Sequence, residues 1–244
     1  MLRIFYPNKI NNKIEIENSK FHKVTSVLRM NEGDNIEIFN GNGLSYITKI
    51  ISIFKDKVIL EIVSDSSNNI NNKLPEIHLA FSIIKPSRFE NGVEKITEIG
   101  INKIFPLITE YTNKTFVNRF NINRLERLKN ISISAAEQCG TNFVPIIKSP
   151  ISLDDLVEEY NKSDTLKIMF YEESDTKNLI KEKIHDYKKI LLIIGPEGGF
   201  TKNEYEKLID SDFNIQSLGT NILRAETAAI CAVNNINYLL QITR

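Results

Sequence analysis

Two glycine loops and one awkwardly placed cation carry the chemical content of this sequence. Gly195-Pro-Glu-Gly-Gly199 follows the apolar run Ile190 to Ile194, which has the length of a buried strand. Leu218-Gly-Thr-Asn-Ile-Leu-Arg224 follows a second short strand and leads into a long C-terminal helix. Glycines let a ligand approach backbone N–H and C=O groups closely, and such groups can read the edges of a flat heterocycle. The first loop lacks the GxxxxGK[ST] spacing of a phosphate cradle and the GxGxxG of a dinucleotide fold. Taken by itself it also fits an ordinary tight turn. Arg224 stands at the start of the last helix, where the macrodipole disfavours a positive charge. It is therefore held by a carboxylate, Glu197 for example, or by an anionic ligand. Glu197 itself is either a charge compensating the helix that follows or an electrostatic or basic group facing a ligand. Two strands that each end in a glycine loop suggest two loops gathered at one edge of an α/β sheet, where such sheets bind ligands.

The wording of these segments resembles the RsmE family. The resemblance rests on Ile194-Gly-Pro-Glu-Gly-Gly-Phe200 and Leu218-Gly-x-x-Ile-Leu-Arg-x-Glu-Thr-Ala228. Val27-Leu-Arg-Met30 before Gly33-Asp34, Lys95-Ile-Thr-Glu-Ile-Gly100 and Ala136-Glu-Gln-Cys-Gly140 add to it in the right order. That family comprises SPOUT-superfamily methyltransferases acting on N3 of a uridine in 16S ribosomal RNA of the small subunit. The resemblance implies S-adenosylmethionine as cofactor. Its expected contacts are Ile194, Gly195, Pro196, Glu197, Gly198, Leu218, Gly219, Ile222, Leu223 and Thr227, with Tyr171 at the end of the preceding strand. It favours Arg224 as a catalytic candidate, beside Glu197 from its place in the ligand loop, and implies a trefoil knot in the last third of the chain. It implies a homodimer, acting on ribosomal RNA within an assembled small subunit. The chain departs from the family's pattern at Thr141, where a basic residue is expected, and in the spelling of the Lys85-Pro-Ser-Arg88 loop.

The elements that must position these loops are legible from periodicity. The first 70 residues read as a small β-barrel, which the resemblance implies is PUA-like and helps hold RNA. Lys13 to Glu17 and Asn35 to Phe39 alternate polar and apolar, and Asn40-Gly-Asn-Gly43 is a hairpin turn. A further strand pair covers Tyr46 to Ile51 and Lys57 to Val63. One short helix is expected over Lys20 to Leu28, capped by Ser19. The polar stretch Ser64 to Pro75 reads as a linker. From residue 76 to 244 strands and helices alternate, which predicts a mostly parallel sheet covered on both faces. Helices are expected over Phe89–Ile99, Ile122–Cys139, Leu153–Tyr160, Thr176–Ile184 and from Thr201 onward. Thr201 and Glu204 form a capping box, with Phe200 stapling to Tyr205. The apolar stripe Ala229, Ala232, Val233, Ile236, Leu240 is either core or a subunit interface.

Lys+Arg and Asp+Glu are both 31 in 244 residues, so RNA contact must come from a local patch. Arg3, Lys23 and Arg29 are the candidates in the first domain. Lys85 and Arg88, in a loop that Pro86 holds off the following helix, are the candidates in the second. Two cysteines without a metal-ligand pattern suggest a reducing, cytoplasmic setting, with no metal. The N-terminus shows no signal-peptide pattern and no apolar run reaches membrane-span length. The competing readings are a non-catalytic RNA-binding protein of the ribosome-assembly type and a nucleotide-dependent enzyme. The first would not need intact cofactor loops, and the second would carry a phosphate fingerprint.

Overall fold

A computed structural model describes residues 1–66, 74–161, 164–171 and 184–242. The chain divides into two compact units, Met1–Asn71 with Ala136–Val144, and Asn72–Ala135 with Pro145–Arg244.

The first unit is built on one sheet. Its strands are β1 (Leu2–Phe5), β2 (Lys13–Glu17), β3 (Asn35–Phe39), β4 (Ser45–Ile53) and β5 (Lys57–Asp65), in the order β1-β3-β4-β5-β2. β1 runs parallel to β3, and the other pairs are antiparallel. Alternation decides which side chains go inside: Ile14 and Ile16 of β2, Ile36 and Ile38 of β3 and Val58 and Leu60 of β5 pack together in the core. The β3–β4 turn has Gly41 and Gly43 at φ of 82° and 105°, a conformation that other residues adopt with strain. The ladder runs from β1 at one edge to β2 at the other, a half-barrel sheet that fits the expected PUA-like unit. The expected helix differs. α1 (Asn18–His22) continues as a π-helical turn over Lys23–Val27, and Glu17, not Ser19, precedes it without a side-chain cap. β5 takes Ser64 and Asp65 from the expected linker, and residues 67–73 lie outside the described residues.

The second unit contains β6 (Glu76–Ser82), α2 (Pro86–Ile99), β7 (Lys103–Ile108), α3 (Lys114–Asn118), α4 (Ile122–Cys139), β8 (Ile146–Ile147), β9 (Ile151–Ser152), α5 (Leu153–Tyr160), β10 (Thr165–Phe170), β11 (Lys189–Ile194), α6 (Lys202–Asp210), β12 (Asn214–Gln216) and α7 (Ala225–Ile242). The sheet order is β12-β10-β11-β6-β7-β8, with β9 also on β7, and every ladder is parallel. Alternate strand residues serve two cores. Leu79 and Phe81 of β6 and Leu192 and Ile194 of β11 join residues of α2 and α7 on one face. Ala80 of β6 and Leu191 and Ile193 of β11 join residues of α5 and α6 on the other. Both faces are covered, which is why the strands read as continuous apolar runs. The α7 stripe is settled as core: Ala229, Ala232, Val233, Ile236 and Leu240 are all buried within the chain. The expected helix at 176–184 lies outside the described residues except for Ile184, which opens a 3₁₀ turn to Asp186.

α2 begins three residues before its expected start, because Pro86 sits inside its first turn. Proline fits there, where the first N–H groups have no helical partner and its φ is already helical. Lys85 is then the N-cap residue, and Arg88 belongs to the helix, not to a loop.

At the start of β6, His78 is sealed inside the protein between Tyr160 and Glu76. Its Nδ1 lies 2.5 Å from the Tyr160 hydroxyl and its Nε2 3.1 Å from Glu76 Oε2. A neutral ring satisfies both, accepting from the tyrosine and donating to the carboxylate. Burial, reinforced by the charge of Lys103, lowers its pKa from 6.5 to about 4. The unfolded chain then binds a proton that the folded chain refuses. Stability from this group is complete above about pH 6.5 and is lost as pH falls toward 4. Urea unfolding at pH 7.5 and pH 5 should show a drop that His78→Gln reduces by roughly 1–2 kcal/mol. An identical drop in the variant would assign it to other groups.

Candidate cofactor site

The parallel strands β10, β11 and β12 end side by side, and the loops that follow them enclose a cavity of about 270 Å³. Phe170 and Tyr171 come from the end of β10, Ile194 to Glu197 from the end of β11, and Ser217 to Gly219 from the end of β12. The first turn of α7 closes it with Ala225 and Ala228, whose small side chains leave the space open.

Local chemistry shapes both loops. Pro196 turns the first, and Gly199 N–H donates to its carbonyl at 2.9 Å. A side chain at Gly195 would press on the Phe200 ring at 3.1 Å. The loop is then fixed to α6 by the expected capping box, Thr201 accepting from Glu204 N–H and Glu204 accepting from Thr201 N–H. In the second loop Gly219 has φ of 129°, open to glycine and costly for a side-chain-bearing residue. The Ser217 hydroxyl braces it, with Oγ 3.2 Å from Gly219 N and 3.0 Å from its carbonyl oxygen.

Among the residues singled out in sequence, Tyr171, Ile194, Gly195, Pro196, Glu197, Leu218, Gly219, Ile222, Leu223 and Arg224 line this cavity. Gly198 and Thr227 do not. A side chain at Gly198 would meet the Tyr111 ring, and Thr227 is exposed on α7. Phe170, Gly199, Phe200, Ser217, Asn221, Ala225 and Ala228 line it without having been singled out. The Ala225/Ala228 spacing of three, small residues at a helix start, was the available signal for two of them.

Arg224 is exposed on the rim and has no carboxylate within ion-pair distance among the described residues. Glu197 pairs elsewhere. Its Oε1 lies 3.5 Å from Nη1 of Arg88, whose Nε lies 3.6 Å from Oε1 of the buried Glu226. The other oxygen of Glu226 has no hydrogen-bond partner. Arg88 therefore bridges the first glycine loop to the first turn of α7.

The remaining candidate cations divide. Arg3 is consumed inside the first unit: it bonds Asn142 Oδ1 at 2.5 Å and the Thr141 carbonyl at 3.2 Å, lies 3.2 Å from Glu37, and stacks over Phe39. Lys23 pairs with Glu137 at 2.8 Å. Arg29, at φ of 51°, and Lys85 are exposed and carry no ion pair among the described residues. No group of three or more histidine, cysteine or acidic residues is placed to hold a metal among the described residues. No helix of the described residues is long and apolar enough to cross a membrane.

The RNA methyltransferase domain family matches residues 71–237, and the RNA methyltransferase PUA domain family matches residues 17–63. A protein of Buchnera aphidicola subsp. Schizaphis graminum named ribosomal RNA small subunit methyltransferase E is 34% identical, over 94% of this chain and 92% of its own. The protein of that name from Rickettsia conorii is 33% identical, over 97% and 95%. A crystal structure of ribosomal RNA small subunit methyltransferase E from Neisseria gonorrhoeae, bound to S-adenosylmethionine, superposes with a TM-score of 0.85 at 26% identity, covering 98% of each chain. A putative methyltransferase from Legionella pneumophila in complex with the same cofactor gives 0.83 at 33% identity, covering 97% of each chain.

Proposed function

This chain belongs to the ribosomal RNA small subunit methyltransferase E family, and on that premise we propose that it transfers a methyl group from S-adenosylmethionine to N3 of a uridine in 16S ribosomal RNA. The observation that carries the reading is the cavity at the ends of β10, β11 and β12, with glycine walls, apolar lining and an unpaired arginine on its rim. Its volume, about 270 Å³, is near the lower end of the roughly 300–1,000 Å³ of small-molecule sites. The residues fit the cofactor. Leu218, Ile222, Leu223 and Ile194 offer apolar faces to an adenine ring, and the loop backbone offers donors and acceptors to its edge. When bound, the cofactor supplies an electrophilic methyl group on a positively charged sulfur.

The protein's own task is to prepare the nitrogen. Uracil N3 carries a proton that must leave before its electron pair can attack. Arg224, with no internal partner competing for it, stabilises the negative charge that spreads onto the uracil carbonyls. Glu197, on the first glycine loop, would balance the positive charge of a bound cofactor or accept the proton. The loops would position the cofactor for attack by the nitrogen, and the base must leave any helix to present its pairing edge. Of the five cations singled out in sequence, Arg29 and Lys85 are exposed and without an ion pair among the described residues, so the RNA-binding role assigned to residues 1–70 rests on Arg29 more than on Arg3 or Lys23. The catalytic domain is 76–244, and the last third of the chain forms a trefoil knot. The enzyme is a homodimer. Its α7 stripe is consumed internally, and Tyr238 and Ile242 are the exposed apolar residues of that helix that support a subunit contact.

Calorimetry with S-adenosylmethionine, ATP and NAD tests the cofactor, and mapping of methylated bases in small-subunit RNA treated with the enzyme tests the target. Binding of S-adenosylmethionine alone, with one new methyl on a uridine N3, is expected. Tight ATP or NAD binding, or RNA binding with no cofactor affinity, would refute the assignment.

A further inference from the structure

Beside α2 lies a second pocket that the methyl-transfer reading does not use. It measures about 220 Å³ and lies between the loop after β6 and the α3–α4 segment. Its floor is Ile83, Ile84 and Phe89, all buried. The Phe89 ring is fixed between a stacked Phe81 at 4.7 Å and an edge-on Phe120 at 5.9 Å. Phe116 and Phe120 are half-buried around it, and Arg119 stands exposed between them in sequence.

The charge of this segment departs from the neutral whole. Between Asn113 and Lys129 there are Lys114, Arg119, Arg124, Arg127 and Lys129 against the single acid Glu126. Arg124 and Arg127 are both drawn to Glu90, Arg127 in a two-pronged contact at 2.6 and 3.0 Å. The Arg127 hydrogen bond, helped by the charge of Arg124, holds the Glu90 carboxyl below its usual range. Arg124 also donates to the Pro86 carbonyl at 2.7 Å, so it is a brace between α4 and α2. Lys114, Arg119 and Lys129 remain exposed, without an ion pair among the described residues.

Aromatic rings beside unpaired cations are what single-stranded nucleic acid requires: a flat surface for a base and positive charge for its backbone. The pocket is smaller than a site for a drug-sized ligand, which suits one ring with sugar and phosphate left outside. It also adjoins the reaction site through α2, since Pro86 and Phe89 line it while Arg88, between them, contacts Glu197. We propose that this pocket receives one unpaired base of the RNA substrate, flanking the base that is methylated, while Arg119 and Lys114 meet the adjoining phosphates. The proposal rests on the reading that the substrate is RNA.

The test measures binding of a single-stranded RNA covering the methylated site, at several salt concentrations, to the full chain and to Phe116→Ala, Arg119→Ala and Arg119→Lys. Phe116→Ala is expected to weaken binding about tenfold with the salt slope unchanged, as for loss of one stacking ring. Arg119→Ala is expected to weaken it and to reduce the salt slope by about 1, and Arg119→Lys to restore the slope. S-adenosylmethionine affinity should stay at the wild-type value in all three, which also shows that they fold. If the wild type binds RNA and the alanine variants match its affinity and slope, the pocket assignment is overturned and the RNA reading stands. If the wild type binds neither this RNA nor isolated small ribosomal subunits, both fall. If Phe116→Ala instead halves the mass seen by light scattering, the pocket is a contact between copies of the chain, and the assignment is likewise overturned.

Discussion

Replacing Arg224 by alanine is expected to slow single-turnover methylation on saturating RNA by about 100- to 1,000-fold, the usual weight of one preorganised charge stabiliser. RNA affinity should fall less than tenfold. The reason lies in what Arg224 does not do. It stands exposed on the cavity rim with no carboxylate in reach among the described residues. It also precedes α7, whose dipole opposes a cation at that end. A charge kept there at a cost, and left uncompensated by the protein, is available to an anion that forms only during reaction. Such an interaction lowers the rate constant at saturation and spares ground-state binding. Arg224→Lys should recover part of the rate, since it restores the charge without the planar fork. Equal losses in RNA affinity and in rate would make Arg224 an anchor and leave the stabiliser unidentified.

Arg88 makes the opposite case. Sequence placed it in a loop and aimed it at phosphate, because Pro86 reads as a break and two cations near a strand end suggest an anion site. Proline inside the first turn is a helix start as readily as a break, and here it is the start. The partners that then claim Arg88, Glu197 and Glu226, lie on loops and helices far along the chain. No local pattern reports such a pair. Sheet order brings them together, and sheet order is not written in any one window of sequence. Arg3 was misleading for the same reason: its contacts, Asn142 and the Thr141 carbonyl, come from a segment that joins the first unit only in three dimensions.

What was legible depended on local rules. The capping box at Thr201, the N-cap at Ser152, the glycine turn between β3 and β4, and the apolar strand Lys189–Ile194 each follow from a few neighbouring residues. The two glycine loops were also legible as a pair, because parallel strands must end at the same edge. The α7 stripe could not be divided between core and interface from spacing alone, since both demand the same period. Packing on α2 and the sheet decided it. The basic run from Lys114 to Lys129 went unread in sequence, and its meaning depends on Glu90, which draws off Arg124 and Arg127 while Arg119 stays exposed.

Gly219→Val is expected to weaken S-adenosylmethionine binding by well over tenfold, more than about 1.4 kcal/mol, with a thermal midpoint lowered by no more than that of Gly33→Val. Apart from its chain neighbours, no atom of the described residues lies within 4 Å of where its β-carbon would be, so the β-carbon itself meets open space. Two costs remain. At φ of 129° a β-branched residue is strained, and the loop must rotate away from the shape that the Ser217 hydroxyl braces. Any side chain that does fit projects from a residue lining the cavity, into space proposed for the cofactor. Strain alone is separated from site loss by Gly33→Val. Gly33 has φ of 98° and a nearly open surround, but belongs to the first unit. That variant carries a similar backbone penalty and should bind the cofactor as the wild type does. Gly219→Ala should fall between them. If Gly219→Val keeps the wild-type affinity while folded by circular dichroism, the cofactor does not sit against the β12–α7 loop, and the site must be sought elsewhere.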